Sequence, residues 1–104
     1  MEIIKRDWQL FRAKLPEWQE AYMKKLIEEY ASLLNEEKPA SEKFWELEAR
    51  IKKDKNKPGV IIEMRKSEMV YGIIELLNDH VICFDDINDF SDELKTTVKM
   101  FLRH

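Results

Sequence analysis

The chain is predicted to be all-α, a small helical bundle of four main helices with a short extra helix. Three observations carry that expectation. Apolar residues recur at three- and four-residue intervals through most of the chain, only two Gly and three Pro punctuate 104 residues, and Ser or Asp precedes several of the periodic runs. A composition of 44% apolar and 38% charged residues fits one folded domain over residues 1–104. A chain of this length buries only about two-thirds of its unfolded surface, so self-association has core to add.

Ile4, Trp8, Phe11 and Leu15 follow i, i+4, i+7 and i+11 and predict a short first helix with Asp7 as a cap at its start. Pro16 pushes Leu15 out of the α region and suits the first turn of a new helix, so a bend and a restart are expected there. The second helix, Glu17 to Leu34, carries two adjoining apolar stripes. Trp18, Tyr22, Leu26 and Leu33 form one; Met23, Ile27, Tyr30 and Leu34 form the other. A face this wide predicts a central helix buried between two neighbours, with Lys24, Lys25, Glu28 and Glu29 left to water.

Asn35 to Ala40 is a loop by its Pro and polar content, and Ser41 is the expected N-cap of a third helix. Phe44, Leu47 and Ile51 supply its inner stripe. Trp45 sits about 100° round from Phe44, beside Glu48, Ala49 and Lys52, and is therefore partly exposed. Pro58-Gly59 turns the chain into a fourth helix over Val60 to Leu77, with Met69, Val70, Ile73 and Ile74 inside and Tyr71 outside. Gly72 in its middle either admits a neighbouring backbone or is merely tolerated. Val81 to Phe84 is too short for a helix and reads as an extended plug into the core, the one candidate for a short strand. Cys83 with Asp86 three residues on has the form of a capping box for a short extra turn. Ser91 repeats the device before a closing helix whose stripe is Leu94, Val98, Phe101 and Leu102.

The net charge is only −3, but it is unevenly spread. Between residues 52 and 66, six cations (Lys52, Lys53, Lys55, Lys57, Arg65 and Lys66) oppose Asp54 and Glu63, a local +4. From residue 67 onward three cations oppose eight carboxylates, a local −5. Basic residues at the end of one helix and acidic ones at the start of the next are also what helix dipoles favour.

Chemistry has few footholds. His80 and Cys83, with Asp79, Asp85 and Asp86 close by, form the cluster nearest to a ligand set, but one H-x-x-C pair without a second is a weak zinc signal. A thiolate at a helix N-terminus would be reactive, whereas a small buried hydrophobe beside Ile82 and Phe84 is the favoured reading of Cys83. With Asp86 as its first position, the acidic run D-D-I-N-D-F-S-D-E has no Gly at the sixth position of a calcium loop and puts Phe90 where the fifth-position ligand belongs. No G-x-x-x-x-G-K-S/T, G-x-G-x-x-G, H-E-x-x-H or G-x-S-x-G occurs. The expectation is therefore no enzyme, no metal and no cofactor.

A single Cys excludes an internal disulfide, M-E-I-I-K-R lacks the apolar core of a signal peptide, and the apolar run Met69 to Ile74 stops at Glu75. These point to the cytoplasm and away from membranes. The segments L-P-E-W-Q-E-A-Y, F-W-E-L-E-A-R-I and K-P-G-V-I-I-E-M together resemble a group of uncharacterised helical bacterial proteins of about this length. The resemblance spans most of the chain and implies a helical fold and a cytoplasmic setting; it brings no activity and no site residues.

The function expected is a protein-interaction or regulatory module that binds a protein partner or a second copy of itself. Trp45, Tyr71 and the basic edge are the residues left over once a core is filled. The alternative is nucleic-acid binding by a helix-turn-helix-like segment around Lys52 to Lys66, with Lys55, Lys57, Arg65 and Lys66 toward phosphate. Against it stand the apolar character of the reading helix and the acidic balance of the whole domain.

Overall fold

A computed structural model describes residues 4–102 and contains four α-helices: α1 (Lys5–Leu34), α2 (Ala40–Asp54), α3 (Met69–Asn78) and α4 (Asp92–Phe101). Two 3-10 turns, Lys66–Glu68 and Phe84–Ile87, precede α3 and α4, and no strand occurs among the described residues. The shape is elongated, 54 × 26 × 19 Å, because the elements divide between a head and an arm.

The head is built on the N-terminal half of α1. Phe11 and Leu15 meet Met69, Ile73 and Leu76 of α3, Leu94 and Val98 of α4, and Ile82, Ile87 and Phe90 from the segment between them. Trp18 joins this cluster edge-on to Phe11, with ring centroids 6.5 Å apart, and leans on Phe90 at 6.4 Å. The expected break at Pro16 is absent: α1 runs unbroken through it. A Pro inside a helix removes one hydrogen bond and costs about 3 kcal/mol, and here Phe11 and Leu15 before it and Trp18 after it are tied into one cluster that offsets the loss.

Asp7 is not the cap of α1, which is Ile4; it lies in the first turn and is fully buried. Its carboxylate crosses to the start of α4. Oδ1 accepts from the Ser91 N–H at 2.9 Å and Oδ2 from the Ser91 hydroxyl at 2.6 Å. Ser91 Oγ in turn accepts from the Leu94 N–H at 3.2 Å, so Ser91 is the N-cap anticipated from its sequence context. Asp7 thus sits at the positive end of two helices at once.

The fourth helix starts later than expected, at Met69 rather than Val60. Val60, Ile61 and Ile62 are β-branched and resist helix after the Pro58-Gly59 turn, so 61–65 stays irregular. Ile62 nevertheless reaches the head. It rests on Gly72, where an added Cβ would stand 2.9 Å from Ile62 Cδ1, so Gly72 admits a side chain rather than a backbone. Similarly, α2 begins at Ala40 after Pro39, which leaves Ser41 inside the first turn instead of capping it.

Helix α3 ends in a Schellman motif that its sequence does not announce. The Val81 N–H donates to Leu76 O at 2.9 Å and the His80 N–H to Leu77 O at 3.1 Å, with His80 at φ 58°, where Gly is the usual residue. This turn aims Ile82 into the head as the plug that was anticipated, without forming a strand. The Asp86 carboxylate then accepts from the Cys83 N–H at 2.8 Å, one arm of the expected capping box, and the short extra helix is a 3-10 turn. Cys83 itself is exposed, not buried, since side chains on either side of it take the inward positions.

Two outcomes follow for stability. Asp7→Ala leaves the Ser91 N–H and hydroxyl without their acceptor and should lower unfolding free energy by about 2–4 kcal/mol in urea titration; a loss below about 1 kcal/mol would show that the head does not rest on this contact. His80→Gly should raise stability by about 1 kcal/mol, because Gly adopts the left-handed conformation without a Cβ penalty.

Candidate functional site

The arm is the C-terminal half of α1 with α2 folded back along it. Pairings step down one helix as they climb the other: Lys43 Nζ donates to Leu34 O, Arg50 pairs with Glu29, and beyond α2 Gln19 Nε2 donates to Pro58 O. The two helices are therefore antiparallel. Beyond α2, Gly59 lies against the Tyr22 ring, closer than any side chain would allow.

Little of the seam between them is apolar. Leu26 and Leu33 are buried, and the rest is a polar lock around Asp54. The Tyr30 hydroxyl donates to Asp54 Oδ2 at 2.7 Å, Lys57 Nζ lies 3.5 Å from Oδ1, and Arg50 lies 3.7 Å from Oδ2 while holding Glu29 at 2.7 Å. Burial alone would raise the Asp54 pKa; the Tyr30 hydroxyl, Lys57 and Arg50 outweigh it and hold the carboxyl below its ordinary value. Burial and the bond to Asp54 push Tyr30 up to about 12.

With the seam occupied by polar groups, the apolar side chains of the arm face outward. Phe44 (64% exposed), Ile51 (44%) and Trp45 (65%) stand clear on α2, and Ile27 (62%) and Leu34 (45%) on α1. This corrects two expectations: Phe44 and Ile51 are not an inner stripe, and of the second stripe of α1, Tyr30 enters the seam while Ile27 and Leu34 stay uncovered. At 100° per residue, Ile27 and Leu34 lie about 80–100° round α1 from the Leu26–Leu33 seam. Phe44 and Ile51 lie about 40–80° round α2, in the same rotational sense, from the Leu47–Asp54 line. In an antiparallel pair, offsets of the same sense fall on one face of the layer. All four thus share a side, while the Arg50–Glu29 ion pair marks the other.

Along α2 this face forms a shallow groove of about 430 Å³ lined by Phe44, Leu47, Glu48, Ile51, Lys52 and Lys55. Trp45 forms its outer rim, edge-on to Phe44 with ring centroids 5.0 Å apart. Of the anticipated site residues, Lys52 and Lys55 line this groove, and Trp45 adjoins it through Phe44. Lys53 lies about 100° round α2 from Lys52. Lys57 is held by Asp54, Arg65 pairs with Glu63 at 2.8 Å, and Lys66 stands exposed in the 3-10 turn before α3.

Tyr71, also 62% exposed, belongs to a different surface. It lines a groove of about 810 Å³ with Pro58, Ser67, Glu75, Asp79 and the exposed Phe101, which had been expected inside. Phe44, Ile51, Ile27 and Leu34 were missed as surface residues because their spacing is that of a core stripe; the width of the α1 stripe was the available signal. Among the described residues no three His, Cys, Asp or Glu side chains gather as metal ligands, and no helix is long and apolar enough to cross a membrane.

The Asp54 lock has a pH signature. A carboxyl held below its unfolded value contributes stability above about pH 4 and loses it as pH falls through the folded value. Wild type should thus lose more thermal stability than Asp54→Asn between about pH 5 and pH 2.5. Tyr30→Phe should lose about 1–2 kcal/mol at neutral pH, and less in the Asp54→Asn background. Equal losses in both backgrounds would exclude the lock. Compared with protein-family models, curated proteins and solved structures, the chain matches none.

Proposed function

We propose that the protein is a non-enzymatic interaction module whose working surface is the apolar side of the α1–α2 arm. The observation that carries this reading is the placement of Phe44, Ile51, Ile27 and Leu34 on one side of a layer two helices wide and only one helix thick. A helical layer with an uncovered apolar face is half of a packed structure, and a partner supplies the other half. Phe44 and Trp45 are the anchors, since exposed aromatic rings yield the most area on burial for the fewest rotatable bonds. The exposed thiol of Cys83 suits a reducing, cytoplasmic setting.

Nucleic-acid binding through the basic segment has weaker support. Residues 55–68 separate α2 from α3, too long a connection for a helix-turn-helix, and Lys57 and Arg65 already have carboxylate partners.

The test is cross-linking with mass-spectrometric mapping. Cross-links to partner protein should fall within residues 27–55, vanish in Phe44→Glu/Ile51→Glu and persist in Lys53→Glu. Cross-links confined to α3, or bound nucleic acid displaced by rising salt, would overturn the proposal.

A further inference from the structure

We infer that the arm's apolar face is covered by a second copy of this chain, related by a two-fold axis, so that two hairpins close into a four-helix arrangement. The inference rests on the interaction-module reading and names its partner.

The face matches itself in shape. It is two helices wide and as long as α2, about 22 Å, and a two-helix layer is best covered by another of equal width and length. It also matches itself in register. The Arg50–Glu29 pair shows which residues of α1 and α2 lie at the same height. With a two-fold axis through that height, lying in the plane of the face and at right angles to the helices, a rise of 1.5 Å per residue sets the remaining levels. Ile27 and Ile51 then lie at the centre against the same pair of the second copy. Leu34 and Phe44, at the tip of the arm, fall at the level of the half-buried Met23 of the second copy.

Charge favours a second copy over a partner of a single sign. Acidic Glu48 and basic Lys52 and Lys55 are interleaved with the apolar residues of the groove. The same axis places Glu48 of each copy level with Lys52 of the other, so both signs are met twice without any other partner. A partner of a single sign would leave one of them facing its like.

The test uses the full chain in sedimentation velocity and light scattering from about 1 to 100 µM, a range that captures a modest dimer. Wild type should reach twice 12.6 kDa. Phe44→Glu/Ile51→Glu should stay monomeric with an unchanged helical circular dichroism spectrum. Glu48→Lys and Lys52→Glu should each weaken the dimer about tenfold, by placing like charges level across the axis. Mixed one to one, those two single variants should form a heterodimer of near wild-type affinity, because each then offers the sign the other lacks. Altered packing within one chain does not produce that rescue. A wild type that stays monomeric to about 100 µM, or a dimer indifferent to these substitutions and to mixing, overturns the inference. A monomer that still gives foreign cross-links at residues 27–55 overturns the second copy alone; a monomer without such cross-links overturns the module reading too.

Discussion

One carboxylate organises the head. Asp7 and Ser91 are 84 residues apart, yet a single buried side chain accepts both the backbone N–H and the hydroxyl of Ser91. The Asp7 carboxylate bonds only Ser91, at the N-cap of α4, but it lies by the first turn of α1 as well, so the positive ends of both helix dipoles favour its charge. Because Asp7 is fully buried, water offers no substitute for either bond. The contact therefore defines where α4 starts and how it lies on α1, and through Leu94 and Val98 it determines what Phe11, Ile73 and Leu76 pack against.

From that anchorage the remaining features of the head follow. Helix α1 runs unbroken through Pro16 because the residues on both sides of it serve one cluster. The segment between α3 and α4 has little regular structure, but the left-handed His80 and the Asp86 contact direct Ile82 and Ile87 inward and Cys83 outward. Irregular backbone is stable here because its polar groups are paired locally while its apolar side chains complete the cluster.

The arm is stabilised by different means. Its seam holds two buried leucines and a polar lock centred on Asp54, so specificity of pairing comes from directed hydrogen bonds and ion pairs rather than from area. A polar lock fixes the register of two antiparallel helices without consuming the apolar faces at their sides. Those faces consequently stay exposed, with Glu48, Lys52 and Lys55 set among their apolar residues.

What the sequence by itself determined is local. The periodicity of Leu94 and Val98, the cap at Ser91 and the solvated Lys24–Glu29 face were all legible, because each depends on residues within one or two turns. The all-α class was legible for the same reason. Tertiary structure decided the rest. Whether Pro16 breaks a helix depends on the packing of Phe11, Leu15 and Trp18 across it, and whether Asp7 caps its own helix or another depends on a residue 84 positions away. The stripe of Phe44, Leu47 and Ile51 has the spacing of a core element, but spacing records only that a face is apolar. Which surface covers it is a property of the neighbours, and in this fold α1 meets α2 along the Asp54 side, leaving Phe44 and Ile51 outside.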